Sequence, residues 1–129
     1  MEGITTVPSS LGPKEAMDRL EAAVRSRHLM VFARVDHAKG ASLAGLTLRP
    51  MEALIFGNPR AGTSLMQANP LIGIDLPLRA LVWQDESGKT WISCVDPAWL
   101  AHRYGITGVD RVVQTMTEAL GAVANAATP

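Results

Sequence analysis

The amino-acid sequence predicts a single α+β domain with a curved antiparallel sheet of about five strands. Two strand-like runs, 78–84 and 90–95, are separated by Asp85-Glu86-Ser87-Gly88, a glycine-containing loop that is typical of hairpins. A hairpin requires antiparallel pairing, which argues against a doubly wound parallel sheet. Two longer amphipathic helical patterns, one towards each end of the chain, would cover one face of that sheet. The length of 129 residues fits one domain, 1–129.

The first half of the chain alternates between strand-like and helix-like segments. Pro13 suits the first position of a helix, because its missing N–H would be unpaired there. Asp36 is a candidate N-cap for a short helix that Gly45 would end. The predicted elements are a strand over 3–7, a helix over 13–28, a buried strand over 29–35, a short helix over 36–44, and a strand over 46–56 with a bulge or edge at Pro50.

The second half contains two short helices, the hairpin and a long final helix. Asn58 or Thr63 is the expected cap of the first of these helices, and Asp96 caps the second, with Pro97 at its first position. Thr107 is the expected cap of the final helix. The predicted elements are a helix over 60–68, a constrained loop or helical turn over 71–77, the two hairpin strands, a short helix ended by Gly105, a long helix after Thr107, and a frayed tail over 125–129.

Charge and composition exclude several classes of protein. Lys and Arg total 12, as do Asp and Glu, so there is no basic surplus of the kind that nucleic-acid binding needs. The single cysteine cannot form an internal disulfide, which indicates a reducing compartment. The first ten residues lack the pattern of a signal peptide, and no apolar run reaches the roughly 18 residues that span a bilayer. We therefore expect a cytoplasmic protein of bacterial type with neither a nucleic-acid nor a membrane partner.

One long stretch of the sequence resembles a known family. Its residues are Phe56-Gly57-Asn58-Pro59, Gly62-Thr63, Leu65-Met66-Gln67, Pro70 and Ile74-Asp75-Leu76-Pro77-Leu78, followed by 89–91 and Asp96-Pro97. This pattern resembles the DUF302 family, a small bacterial domain of unknown function, most strongly over 36–105. The resemblance implies a TBP-like α+β fold, in which a curved antiparallel sheet packs against helices. It implies no established activity.

Two positions depart from the pattern of the family that the chain resembles. Where the family pattern has Tyr-Asn before the Asp-Pro, this chain has Cys94-Val95, and where it often has Arg-His-Gly, this chain has Arg103-Tyr104-Gly105. If those family residues form a polar site, this chain has altered it. The neighbouring His102 is a poor substitute, because one step along a helix turns a side chain by about 100°.

The segment 57–67 is the strongest candidate for a binding site. Asn58, Arg60, Thr63 and Gln67 would meet a ligand there, with the free N–H groups of the helix start receiving an anion or a carbonyl. The same residue types are also common caps and turn formers, which is the alternative interpretation. The other candidate ligand-binding residues are Asp75, Trp83 and Trp91, which would complete a groove between this segment, the following loop and the hairpin.

The remaining chemistry-bearing residues give no catalytic pattern. Asp75 would act as a base or form an ion pair with Arg49 or Arg79. Cys94 is interpreted as a buried structural thiol, since no histidine lies near it in the sequence. The histidines 28, 37 and 102 show no metal-ligand spacing, so we expect no metal and no cofactor.

Three functions stay open on the sequence alone. The preferred one is a non-enzymatic module that binds a small molecule or a second copy of itself, as a homodimer. The second is an enzyme of unknown reaction in which Asp75 acts with Arg49, Arg60 or His37. The third is a purely structural dimerisation module. Each requires a different arrangement of Asp75, the segment 57–67 and the hairpin.

Overall fold

The computed structural model describes all residues, Met1–Pro129, and confirms the α+β fold with a five-stranded sheet. The strands are β1 (Ile4–Ser9), β2 (Met30–Asp36), β3 (Met51–Gly57), β4 (Leu78–Gln84) and β5 (Thr90–Val95). The helices are α1 (Pro13–Ser26), α2 (His37–Leu43), α3 (Pro59–Ala68), α4 (Pro97–Arg103) and α5 (Asp110–Ala126), with a short 3-10 helix over Pro70–Ile74. No helix combines the length and the apolar character needed to cross a membrane.

The sheet is antiparallel throughout, with strand order β1-β5-β4-β3-β2. β4 and β5 form the predicted hairpin, in which Trp83 lies opposite Trp91. The hairpin loop is closed by the N–H of Asp85, which donates to the carbonyl of Lys89 at 2.9 Å. The N-terminal strand β1 pairs with β5 rather than with its neighbour in sequence, so β1 and β2 are the two edges of the sheet.

One face of the sheet, the inner face, holds the core. Helix α1 packs across β2, β3, β4 and β5, and α5 packs beside α1. The strand side chains that point towards these helices are almost fully buried: Leu54, Phe56, Ala80, Val82 and Ile92. Burying such apolar side chains away from water is the main stabilising contribution to a fold of this kind.

The other face, called the outer face below, carries the side chains that alternate with those of the core. By the strand register they are Ile4, Thr6, Pro8, Met30, Ala33, Val35, Met51, Ala53, Ile55, Arg79, Leu81, Trp83, Trp91, Ser93 and Val95. Only Thr6, Arg79 and Ser93 are polar, and none of the set is buried. The sheet therefore presents an apolar surface on the side away from its core.

Three predictions in the first half of the chain are wrong in detail. The third strand begins at Met51 and not at residue 46, because Pro50 has no N–H to contribute to a ladder. The bulge lies in β2, where the register shifts between Val31 and Ala33, rather than at Pro50. Helix α1 stops at Ser26 because His28 adopts a left-handed conformation, with φ 59°.

The last helix and the tail also differ from the prediction. Thr107 does not cap α5, which starts at Asp110 after the positive-φ residue Gly108, and no side chain caps its first turn. The tail 125–129 was expected to fray, yet the structure ties it to β1. Ser9 Oγ donates to the carbonyl of Ala127 at 2.6 Å, and the Ala127 side chain is fully buried. These contacts join residues 118 positions apart, which a local sequence pattern does not reveal.

Candidate functional site

A cavity of about 260 Å³ lies where α3 begins, between the bulge of β2 and helix α5. Its residues come from four separate parts of the chain, so it exists only in the folded protein. They are Leu29, Phe32, Gly57, Asn58, Pro59, Ala61, Gly62, Thr63, Met66, Leu76, Pro77, Leu78, Thr115, Met116 and Ala119. None of these residues is charged.

The start of α3 forms one wall of the cavity, and the local sequence explains its shape. Asn58 occupies the N-cap position, and its Oδ1 accepts from the N–H of Arg60 at 3.0 Å. Pro59 follows at the first helical position, one residue before the predicted start of the helix at Arg60. Gly62 has space around it, because a Cβ there would meet only Met66 Cε at 3.8 Å. The helix therefore approaches the cavity with small side chains on that side.

The polar side chains of the cavity are largely used within their own helices. Thr63 Oγ1 donates to the carbonyl of Pro59 at 2.6 Å, and Thr115 Oγ1 donates to the carbonyl of Arg111 at 3.0 Å. Asn58 Nδ2 has no partner in the protein, although Oδ1 of the same side chain is engaged in capping. The cavity is thus apolar, with one free amide donor at the exposed Asn58.

Two methionines and a phenylalanine give the cavity an adaptable lining. Met66 is 37% exposed and Phe32 is 48% exposed, whereas Met116 belongs to the core. Gly73 leaves room for Met66, since a Cβ on Gly73 would lie 3.4 Å from Met66 Sδ. Methionine side chains are flexible and polarisable, and are common at surfaces that accept apolar partners of varied shape.

The structure brings together only part of the predicted ligand-binding set. Asn58 and Thr63 line the cavity, whereas Arg60 and Gln67 are exposed on α3 and do not. Trp83 and Trp91 lie on the outer face of the sheet, so the predicted groove between the hairpin and the segment 57–67 does not form. These groups lie on opposite sides of one sheet, and the side that each strand residue faces depends on strand register, which a single sequence does not display.

Asp75 contributes to a different polar cluster. Its carboxylate accepts a hydrogen bond from the hydroxyl of Tyr104 and lies 3.5 Å from Arg103 Nη1. The expected pairing with Arg49 or Arg79 is wrong: Arg79 donates instead to the carbonyl of Ile74. The hydrogen bond from Tyr104 to the Asp75 carboxylate raises the pKa of that phenol. Tyr104 therefore binds the carboxylate at the position where the sequence resemblance suggests a histidine.

The arrangement expected for an enzyme is not present around Asp75. None of Arg49, Arg60 and His37 forms a hydrogen bond or ion pair with it.

Cys94 is buried on the inner face, and burial raises the pKa of its thiol to about 11, which is the behaviour of an inert structural cysteine. No three His, Cys, Asp or Glu side chains are placed to hold a metal ion.

Several residues of the cavity were not identified from the sequence. Phe32, Pro77 and Met116 each lie in a segment with another obvious role, namely a strand, a turn and the apolar stripe of a helix. Phe32 lies at the bulge of β2, which places its neighbours Val31 and Ala33 on opposite faces of the sheet. A bulge at that position has no sequence signature in this chain.

Comparison with known proteins agrees with this architecture. The profile of a family described as "Domain of unknown function DUF302" matches residues 5–123. A crystal structure of an uncharacterised conserved DUF302 protein from Bacillus stearothermophilus superimposes with a TM-score of 0.86. It covers 98% of this chain and 99% of the other at 23% identity, so this similarity establishes the fold alone.

Curated relatives from Brucella are more similar in sequence and considerably longer. A protein of Brucella suis biovar 1 named "Fluoride-specific ion channel FluC 1" is 47% identical over 122 residues, which are 94% of this chain and 48% of that protein. A protein of the same name from Brucella abortus biovar 1 is also 47% identical, over 45% of its length. The chain thus spans about half the length of the curated relatives it matches.

Proposed function

From the premise that the chain belongs to the DUF302 family, for which no reaction is established, we propose that this domain is a binding module for a small, mostly apolar molecule. The single observation that supports it is the cavity beside α3, which is lined without any charged residue. Cavities of this kind, with a few polar groups that fix orientation, are the usual form of small-molecule sites.

The volume and lining restrict the ligand. An apolar cavity of roughly 150 Å³ accommodates benzene, so a cavity of about 260 Å³ accommodates a medium-length acyl chain or a larger ring. The free Asn58 Nδ2 would donate to one acceptor on the ligand, such as a carbonyl or a carboxylate. A highly charged ligand such as a phosphate ester does not fit, because its polar groups would lose water without gaining partners.

Octanoate is a suitable probe, because it joins a short apolar chain to one acceptor group. We expect isothermal titration calorimetry to detect its binding to the full chain. The variant Gly62→Leu would raise the dissociation constant at least about tenfold, because the added side chain occupies volume that the ligand needs. Gly40→Leu is the matched control, because Gly40 is likewise a helical glycine but does not line the cavity. No atom lies within 4 Å of its Cβ position.

A second substitution separates binding from capping. Asn58→Asp keeps an N-cap oxygen, because aspartate caps as well as asparagine, but replaces the free amide donor with a carboxylate. Octanoate binding should weaken while 1-octanol binding, which does not depend on a carboxylate head group, changes less. Equal binding by the wild type, Gly62→Leu and Asn58→Asp would show that octanoate binds elsewhere, and no binding of octanoate or 1-octanol would count against the proposal.

The name of the longer relatives suggests a second candidate, an accessory role beside a fluoride channel. It is favoured only by the 47% identity over 94% of the chain. The cavity offers a fluoride ion no cationic side chain. Broadening of the fluoride signal by this chain in ¹⁹F NMR would support direct fluoride binding, and an unchanged signal would leave the accessory role without a ligand-binding basis.

A further inference from the structure

The outer face of the sheet is apolar from edge to edge, and no other segment of the chain covers it. On the inner face, Leu54, Val82 and Ile92 are at most 1% exposed, whereas no side chain of the outer face is buried. Antiparallel sheets with one solvated face normally alternate apolar and polar residues. The lack of that alternation indicates that the outer face is covered in the functional state.

The few polar side chains of this face already have hydrogen-bond partners within the chain. Trp83 Nε1 donates to Ser93 Oγ at 2.9 Å, and Ser93 Oγ also lies 2.8 Å from Thr6 Oγ1. The rings of Trp83 and Trp91 stack with their centroids 6.2 Å apart. A partner would therefore find a pre-formed aromatic surface, and aromatic side chains of this type are enriched at protein interfaces.

The charges on and around the face argue for a neutral partner. Arg79 is its only charged residue, and its guanidinium donates to the carbonyl of Ile74. At its rim, the Asp85 carboxylate accepts from Trp91 Nε1 at 2.8 Å and Lys89 Nζ lies 4.8 Å from the centroid of the Trp91 ring, so one charge of each sign lies there. The whole chain has a formal net charge of zero. A nucleic acid, an acidic peptide or a charged headgroup would gain little here, whereas two copies of this chain would meet without net repulsion.

The size of the face matches the smallest stable interfaces. Five strands at a spacing of about 4.8 Å, each of about six residues at about 3.3 Å, cover about 24 Å by 20 Å. Two such faces bury about 1,000 Å² between them, the area that a specific interface should reach. Face-to-face packing of sheets at about 10 Å is also an established way to build a protein core.

We infer that the outer face is the docking surface for a second copy of this chain, related by a twofold axis. The same surface is used on both copies, so the assembly closes at two chains. The connection between α2 and β3, which leads to Met51 on this face, carries two further exposed leucines, Leu46 and Leu48. This inference does not depend on ligand binding in the cavity.

The test is a sedimentation-velocity series on the full chain from roughly 1 µM to 1 mM. Over this range a weak dimer dissociates on dilution, whereas a tight dimer persists. We expect a species of twice the chain mass of 13.8 kDa. On dilution, tryptophan emission should shift to longer wavelengths, because Trp83 and Trp91 regain water. This second measurement uses only the wild type, so it does not rely on a variant that folds poorly.

Leu81→Glu is the informative variant, because Leu81 lies on the outer face of the central strand β4. It should raise the dissociation constant of the dimer by at least about 30-fold, the loss that marks an interface hot spot. Leu71→Glu is the matched control, since Leu71 is 61% exposed in the 3-10 helix, away from the sheet, and it should leave the dimer intact.

Three outcomes would overturn the inference. One is a wild-type mass of 13.8 kDa over the whole series. The second is an equal effect of Leu81→Glu and Leu71→Glu, which would place the interface elsewhere. The third is native mass spectrometry showing one chain carrying a lipid or another protein on this face, or assemblies that grow beyond two chains.

Discussion

The hydroxyl of Tyr104 donates a hydrogen bond to the carboxylate of Asp75, joining the end of α4 to the segment that enters β4. The same two segments are also joined through Asn69, whose Nδ2 donates to the carbonyl of Tyr104 at 2.8 Å. Arg103 lies beside both groups, 3.5 Å from the Asp75 carboxylate. These contacts tie Asp75 to the end of α4.

Tyr104→Phe should lower the melting temperature of the protein. It should also make the stability less dependent on pH in the alkaline range. Because the folded-state pKa of Tyr104 is raised above its unfolded value of about 10, its contribution is present below that pH and is lost as pH rises through the folded pKa. Urea unfolding of wild type and variant at pH 7 and above pH 10 measures this, and the two curves should converge at high pH.

A double-mutant cycle with Asp75→Ala assigns the effect to this pair, and Asp75→Asn is the conservative control. Asparagine still accepts from the phenol, so Asp75→Asn should cost less stability than Asp75→Ala. A coupling free energy near zero between Tyr104→Phe and Asp75→Ala would show that the two residues act independently, contrary to their contact.

The hairpin loop predicts a second pH effect, at the acid end. The Asp85 carboxylate accepts from Trp91 Nε1 at 2.8 Å, from Ser87 and from the N–H of Lys89, and these bonds, led by that from Trp91, hold its pKa well below the usual range. Its stabilising contribution is therefore present above about pH 4 and is lost as pH falls through the folded pKa.

Asp85→Ala should destabilise the protein at neutral pH. The difference in melting temperature between this variant and the wild type should shrink progressively below about pH 4. Thermal melts followed by tryptophan emission would report it. Glu86→Gln, at the exposed neighbouring position, is the control and should show no such pH-dependent difference. A difference between Asp85→Ala and wild type that stays constant down to the lowest accessible pH would contradict the assigned hydrogen bonds.

The C-terminal tail should prove to be a stabilising element. Ser9 Oγ is buried, donates to the carbonyl of Ala127 and accepts from the N–H of Leu11 at 3.2 Å. Ser9→Ala should lower the free energy of unfolding by about 1–3 kcal/mol, because the buried carbonyl of Ala127 and the partly buried N–H of Leu11 both lose a partner. Ser10→Ala is the control, since Ser10 is exposed and its hydroxyl is 3.5 Å from its partner; equal losses in the two variants would exclude the proposed anchoring.

The sequence by itself determined the local elements. The hairpin strands 78–84 and 90–95 agree with β4 and β5, and Asp36, Asn58 and Asp96 cap helices as predicted. Such features depend on a few neighbouring residues, namely cap, turn and periodicity signals, which a single sequence displays. The α+β class followed from the hairpin in the same way.

Only the tertiary structure decided which residues share a site. Trp83 and Thr63 were both predicted to bind a ligand, but the register of β4 places Trp83 on the outer face, away from the cavity that Thr63 lines. Asp75 pairs with Tyr104, 29 residues away, and with Arg103, rather than with Arg49 or Arg79. The physical reason is that the face of a strand and the partner of a loop carboxylate are set by long-range pairing and packing, and a shift of one residue reverses the face.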